Sequence, residues 1–280
     1  MKKFIFNICA FVLICLSVYF MVLTFGNVKN IISVKRVVDK EVLSCCHSHE
    51  LYGLDDGMWL QYGNYNSSAT PPWIWHSKLK FIVDYYGAKP KIVLVERSLH
   101  DDAYDAKPSY LSDSYSRFFL LQLIEPTCPY RYGYIGRGLV EKLFSNYILD
   151  PMWCEERHDE NTMGRIPRHR DVADLDPRDS SNDVFLKSLE DYILYIISIG
   201  AEPVLVTMPC QDDYKKNYSS RAKEVWREHT KYLMEKYSLR YYNYLDYPLP
   251  DDAFRDHDHL VQKGRTIITY QLMNDLGYKE

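Results

Sequence analysis

Lys91-Ile92-Val93-Leu94-Val95-Glu96 is a continuous apolar run behind Gly87 and Pro90. With no polar residue alternating through it, the run reads as a strand buried on both faces, the kind that parallel sheets use. Pro203-Val-Leu-Val-Thr-Met208 has the same character behind the stop at Gly200. Outward from these two, Glu41 to Cys46, Met58 to Tyr62 and Leu239 to Tyr244 read as further strands. Helices are predicted from about Pro72 to Tyr86, with the proline early in the first turn, and from a Ser180-Ser-Asn182 cap to about Ile199. Two more run from Ser219 to Tyr237 and from about Val261 to Asn274, the last ending at Gly277. Strands alternating with helices of this length predict βαβ units and a mostly parallel sheet with helices on both faces.

The chain has 280 residues, 46% of them hydrophobic and 26% charged, enough to bury one large core. A net charge of −4 gives nucleic acid no global attraction. The 25 tyrosines supply flat amphipathic surfaces suited to sugars or lipid head groups, and equally to ordinary packing.

No charged residue occurs from Phe4 to Val28. Phe4 to Phe25 is long enough to cross about 30 Å of hydrocarbon and reads as a transmembrane helix. Thr24-Phe25-Gly26 is a poor cleavage site, so an uncleaved single-pass anchor is expected over residues 1–28. Lys2 and Lys3 precede the span while Lys29, Lys35, Arg36 and Lys40 follow it, which divides the positive-inside count. A connector is expected over 29–40 and one domain over 41–280.

Between His100 and Ser181 the regular pattern breaks, and the stretch is too long for a plain loop. It reads as an insertion able to cover a cleft, with apolar pieces at Phe118 to Ile124 and Leu139 to Leu149, an Arg165 to Arg170 cluster, and the aromatic Tyr130 to Tyr134. Seven cysteines cannot all pair internally; Cys128 with Cys154 is a weak disulfide candidate.

The chemistry centres on Phe254-Arg-Asp-His-Asp-His-Leu-Val-Gln-Lys-Gly264, which opens the last helix. Asp256 can bend back to accept the Nδ1 proton of His259, which fixes the tautomer and leaves Nε2 as a general base. Such a base needs a hydroxyl or thiol. Ser48 follows the first strand in a tight turn, where its own N–H can face a developing oxyanion. Since sites in parallel sheets form beyond the carboxyl ends of the strands, Ser48 and His259 fall on the same edge. Cys45 and Cys46 are nearby rivals, read as structural.

Val42-Leu-Ser-Cys-Cys-His-Ser-His-Glu-Leu-Tyr-Gly-Leu54 resembles the first block of SGNH/GDSL hydrolases in their envelope-protein form, and Asp256-His-Asp-His-Leu260 with Gly264 resembles their closing block. The resemblance implies a flavodoxin-like three-layer α/β/α fold, with Ser48 as nucleophile, His259 as base and Asp256 as its orienter. It gives Asp258 no equivalent role and calls for neither metal nor cofactor. Cys46-His47 stands where Gly-Asp or Gly-Ser usually precedes the serine, and Val95-Glu-Arg-Ser-Leu-His-Asp101 stands where a Gly-x-Asn-Asp block is expected. Asn64 or Asn66 in the Gly63-Asn-Tyr-Asn66 loop is the candidate oxyanion donor instead. Anchored members of this group work beside a membrane-bound O-acyltransferase on envelope polymers. The implied reading is therefore acyl transfer to, or ester hydrolysis on, an envelope polysaccharide through acyl-Ser48, with the domain outside the cytoplasm.

Two alternatives stay open. A metal site could draw on His47-x-His49 with Asp256-His-Asp-His259, although side chains two apart at a strand end point to opposite sides. A catalytically degenerate scaffold partnering an acyltransferase is the other.

Overall fold

The computed structural model describes residues 2–51, 53–66, 72–101, 180–216 and 218–278. The insertion, with its Cys128, Cys154, arginine cluster and tyrosines, lies outside the described residues. In chain order the elements are α1 (Lys2–Val37), β1 (Val42–Ser44), α2 (Ser48–Leu51), β2 (Tyr62–Asn64), α3 (Pro72–Tyr86) and β3 (Ile92–Glu96). They continue with α4 (Ser180–Ser198), β4 (Glu202–Thr207), α5 (Asp212–Lys216), α6 (Ser220–Tyr237), β5 (Arg240–Asn243), a 3₁₀ turn at Asp251–Ala253 and α7 (Gln262–Leu276).

The five strands pair in parallel in the order β2-β1-β3-β4-β5. The inner strands divide their apolar side chains by the two-residue period of a pleat. Leu43, Val93, Val95 and Leu205 enter one core with Trp75, Leu79, Leu189, Ile193 and Leu233 from α3, α4 and α6. Val42, Ile92, Leu94, Val204 and Val206 enter the other with Leu54, Trp59, Phe254, Ile268 and Leu272. Both faces are covered, which is why these strands read as unbroken apolar runs.

Local chemistry sets the ends. Ser219 caps α6 by accepting from the Ala222 N–H at 3.0 Å. Gly277 closes α7 in the left-handed region at φ 81°, which glycine adopts without strain.

One expectation needs correction. The second strand does not lie at Met58 to Tyr62 but begins at Tyr62. Residues 55–61 are turns, closed by Trp59 N–H to Asp55 O at 3.2 Å and Tyr62 N–H to Trp59 O at 3.0 Å, because the stacked Trp59 and Tyr62 rings are drawn into the core. Within the expected connector over 29–40, residues 29–37 continue α1, and Val34 and Val37, one turn apart, both reach the core. Phe4, Phe6, Phe11, Leu13 and Ile14 are exposed along α1. Among the described residues no helix is long and apolar enough to cross a membrane, and the side chains of 19–33 fall outside them.

Candidate active site

In the order β2-β1-β3-β4-β5 the chain reverses its direction of travel between β1 and β3, so the loops leaving those strands diverge and open a crevice. Ser48 and its flanking histidines leave β1 there, and Arg97 to Asp101 leave β3 beside them.

Ser48 is the first residue of α2, a single turn packed tightly behind it. A Cβ on Gly53 would stand 2.3 Å from the His49 carbonyl oxygen, so only glycine fits where the chain turns away. Opposite, residues 254–260 form a closed loop. Phe254 and Leu260 pair as an antiparallel bridge, Arg255 N–H donates to His259 O at 2.8 Å, and Gln211 N–H fastens the loop to the end of β4 through His257 O at 2.9 Å. Gly264 lets the first turn of α7 lie against this loop, since a Cβ there would meet the Ala253 carbonyl oxygen at 2.5 Å.

Within that loop one Asp256 carboxylate oxygen accepts from the backbone N–H groups of Asp258 and His259, at 3.2 and 2.9 Å. The same carboxylate receives the His259 Nδ1 proton at 2.8 Å. His259 Nε2 lies 3.0 Å from Ser48 Oγ, joining residues 211 positions apart. Hydroxyl, imidazole and carboxylate thus form one line, partly open at the serine end.

Asp258, for which the sequence offers no role, joins two imidazoles. One of its oxygens lies 3.2 Å from His259 Nδ1, and the other accepts from His49 Nε2 at 3.0 Å. His49 donates its Nδ1 proton to Glu96 at 2.9 Å, so both ring nitrogens are committed to carboxylates. Burial favours the neutral ring, but the hydrogen bonds to Asp258 and Glu96 and their charges push His49 up to about 10. The ring is therefore a buried cation. For His259, burial is likewise outweighed by the charge of Asp258 and the bond to Asp256, which push it up to about 9. Burial would raise Glu96, yet the neighbouring His47 and His49 hold it far below the carboxylate range.

Asn66 laces β1 to β2. Its Oδ1 accepts from Ser44 Oγ at 2.6 Å and from the Cys46 N–H, while its Nδ2 donates to Asn64 Oδ1 at 2.9 Å. The amide proposed as an oxyanion donor is thus engaged inside the loop, and Asn64 presents its oxygen to Asn66. Cys45 and Cys46 are fully buried, and burial pushes both thiols up, Cys45 to about 12, which leaves them protonated and unreactive.

Sequence reasoning placed His47 and His49 on opposite sides. They are instead 5.2 Å apart, centroid to centroid, and both reach the same Glu96 oxygen, because the strand gives way to a helical turn at Ser48 and the period of two lapses. Glu96, His100 and Asp101 are not among the residues that the sequence reading singles out, and Asp258 enters it only through the metal alternative. The signal was the polar Glu96-Arg-Ser-Leu-His-Asp101 segment directly after a buried strand next to the reversal in strand order.

No family model and no curated protein matches this chain. The structure aligns with several solved acylhydrolases, lipases and esterases. A putative acylhydrolase from Bacteroides fragilis aligns at 9% identity over 87% of this chain and 93% of that one, with a TM-score of 0.45. A GDSL-like lipase from Bacteroides thetaiotaomicron aligns at 11% identity over 90% and 98%, TM-score 0.45. A catalytic mutant of an acetylxylan esterase from Geobacillus stearothermophilus aligns at 10% identity over 87% and 97%, TM-score 0.41. Likeness at this level carries no weight for the chemistry, which rests on the geometry of the site.

Proposed function

We propose that this chain is a serine-dependent esterase or O-acyltransferase that works through an acyl-Ser48 intermediate. The observation that carries the reading is the unbroken line from Ser48 Oγ through both nitrogens of His259 to Asp256, at 3.0 and 2.8 Å. Ser48 Oγ attacks the ester carbonyl while its proton passes to His259 Nε2. The same proton is then delivered to the departing alkoxide, freeing the alcohol and leaving the acyl group on Ser48. Water completes hydrolysis; a sugar hydroxyl completes transfer. Asp256 holds the tautomer and stabilises the imidazolium that forms in between.

The proposed substrate is an O-acylated cell-envelope polysaccharide or related polymer, handled outside the cytoplasm beside a membrane-bound O-acyltransferase. What supports this is the charge-free run from Phe4 to Val28, taken as the anchor, and the resemblance of the two sequence blocks to envelope members of the SGNH group.

The test is labelling with a serine-directed fluorophosphonate, with turnover of an activated acetate ester followed in parallel. Labelling is expected in the wild type and absent in Ser48→Ala, with turnover reduced by roughly 10³-fold or more. A label that persists in Ser48→Ala overturns the assignment, and an unlabelled wild type that still binds polysaccharide favours the scaffold.

A further inference from the structure

Beside the triad, separated from it by the His49 ring, lies a second constellation that the ester chemistry does not use. His47 Nε2 and His100 Nε2 face each other at 3.0 Å, and Asp101 Oδ1 lies 3.6 Å from the first and 3.9 Å from the second. We propose that these three atoms form a binding site for a divalent transition metal of the zinc class.

Three observations carry it. First, the spacing suits metal ligands: the point equidistant from the three atoms in their own plane is about 2.1 Å from each, within the range of about 2.0–2.2 Å for zinc bonds to imidazole and carboxylate. Second, the far side of every ligand is already held, as ligands to a metal are. His47 Nδ1 lies 3.1 Å from Glu96, His100 Nδ1 lies 3.1 Å from the Tyr214 hydroxyl, and Asp101 Oδ2 accepts from the Ser98 N–H at 2.7 Å and from Arg97 at 3.1 Å. These bonds hold both Nε2 atoms and Oδ1 facing one spot. Third, Asp101 Oδ1 is fully buried and has no hydrogen-bond partner. An anionic oxygen without a donor in the interior is costly unless a cation completes it. His49 is excluded as a ligand because Glu96 and Asp258 occupy both its nitrogens. Two imidazoles and one carboxylate suit a divalent transition ion such as zinc more than calcium or magnesium, and leave a fourth position for water or substrate.

This site is independent of the acyl-serine reading. The tag-free full chain, stripped with a chelator, is titrated calorimetrically with Zn²⁺, and Co²⁺ is added separately while its visible absorption is followed. About one equivalent is expected to bind. His100→Gln and Asp101→Asn should each weaken binding by at least about 100-fold, and Tyr214→Phe by about tenfold. Ser48→Ala, which abolishes the label, should bind metal as the wild type does. Far-UV circular dichroism selects variants that fold, and on these the cobalt spectrum reports whether Asp101 is a ligand. Absence of stoichiometric binding in the wild type overturns the proposal, as does affinity unchanged in His100→Gln and Asp101→Asn; His47 and His100 would then be a hydrogen-bonded pair.

Discussion

Two aspartates of one loop, Asp256 and Asp258, each hold a histidine and do opposite things with it. Asp256 takes only the Nδ1 proton of His259 and leaves Nε2 on Ser48. Asp258 takes the Nε2 proton of His49, whose Nδ1 is already given to Glu96. One imidazole keeps a nitrogen for chemistry; the other keeps none and becomes a fixed charge between the end of β3 and the loop before α7. Each ring has two carboxylates beside it, and what decides whether it is a base or a tether is which nitrogens they hold: both at Nδ1 of His259, one at each nitrogen of His49. Burial does not separate them, for both rings are buried or nearly so.

The sharpest break between the pairs is Asp256→Asn. It should lower turnover by about 10³–10⁴-fold, because an amide can stabilise the wrong tautomer and no longer offsets the imidazolium. The melting temperature should stay within a few degrees, since the side-chain oxygen still accepts from the backbone of the loop. Equal loss of turnover in Asp256→Asn and Asp258→Asn would erase the distinction.

His49→Gln should act mainly on stability. Removing the cation takes from buried Glu96 and Asp258 the partner they share and leaves each with one remaining imidazole, His47 and His259, at a cost of roughly 3 kcal/mol in urea unfolding. Because His49 rises from 6.5 to about 10 in the folded chain, its contribution is complete below pH 6.5 and is lost as pH climbs through about 10. The gap between wild type and variant should close across that window. A gap independent of pH would mean that the ring acts by packing alone.

The smallest effect is a displacement of the pH–rate profile. With His259 pushed up to about 9, only about one ring in a hundred is a free base at pH 7, so kcat/KM should rise with pH until about 9. Asp258 is the main charge raising it. Asp258→Asn should therefore move this limb towards 6.5 by about one unit, whereas His259→Ala removes it. A limb unmoved in Asp258→Asn would assign the shift to Asp256.

Much of this was legible because it is local. The apolar runs at 91–96 and 203–208 must be buried on both faces, and Asp256 reaches His259 within one turn of chain. Met58 to Tyr62 misled because Trp59 and Tyr62 look like strand residues yet are buried as a stacked pair in a turn. His47 and His49 misled because the pleat ends between them.

The amino-acid sequence by itself determined the layered α/β architecture, the pairing of Asp256 with His259, and the polar segments that must leave strands β1 and β3, since periodicity and short-range hydrogen bonding act within a few residues. Only the tertiary structure decided that Ser48 meets His259, that Asp258 clamps His49 against Glu96, and that His47, His100 and Asp101 converge. Those contacts depend on the order in which parallel strands lie side by side, and strand order is fixed by the packing of both cores at once, which no single stretch of chain encodes.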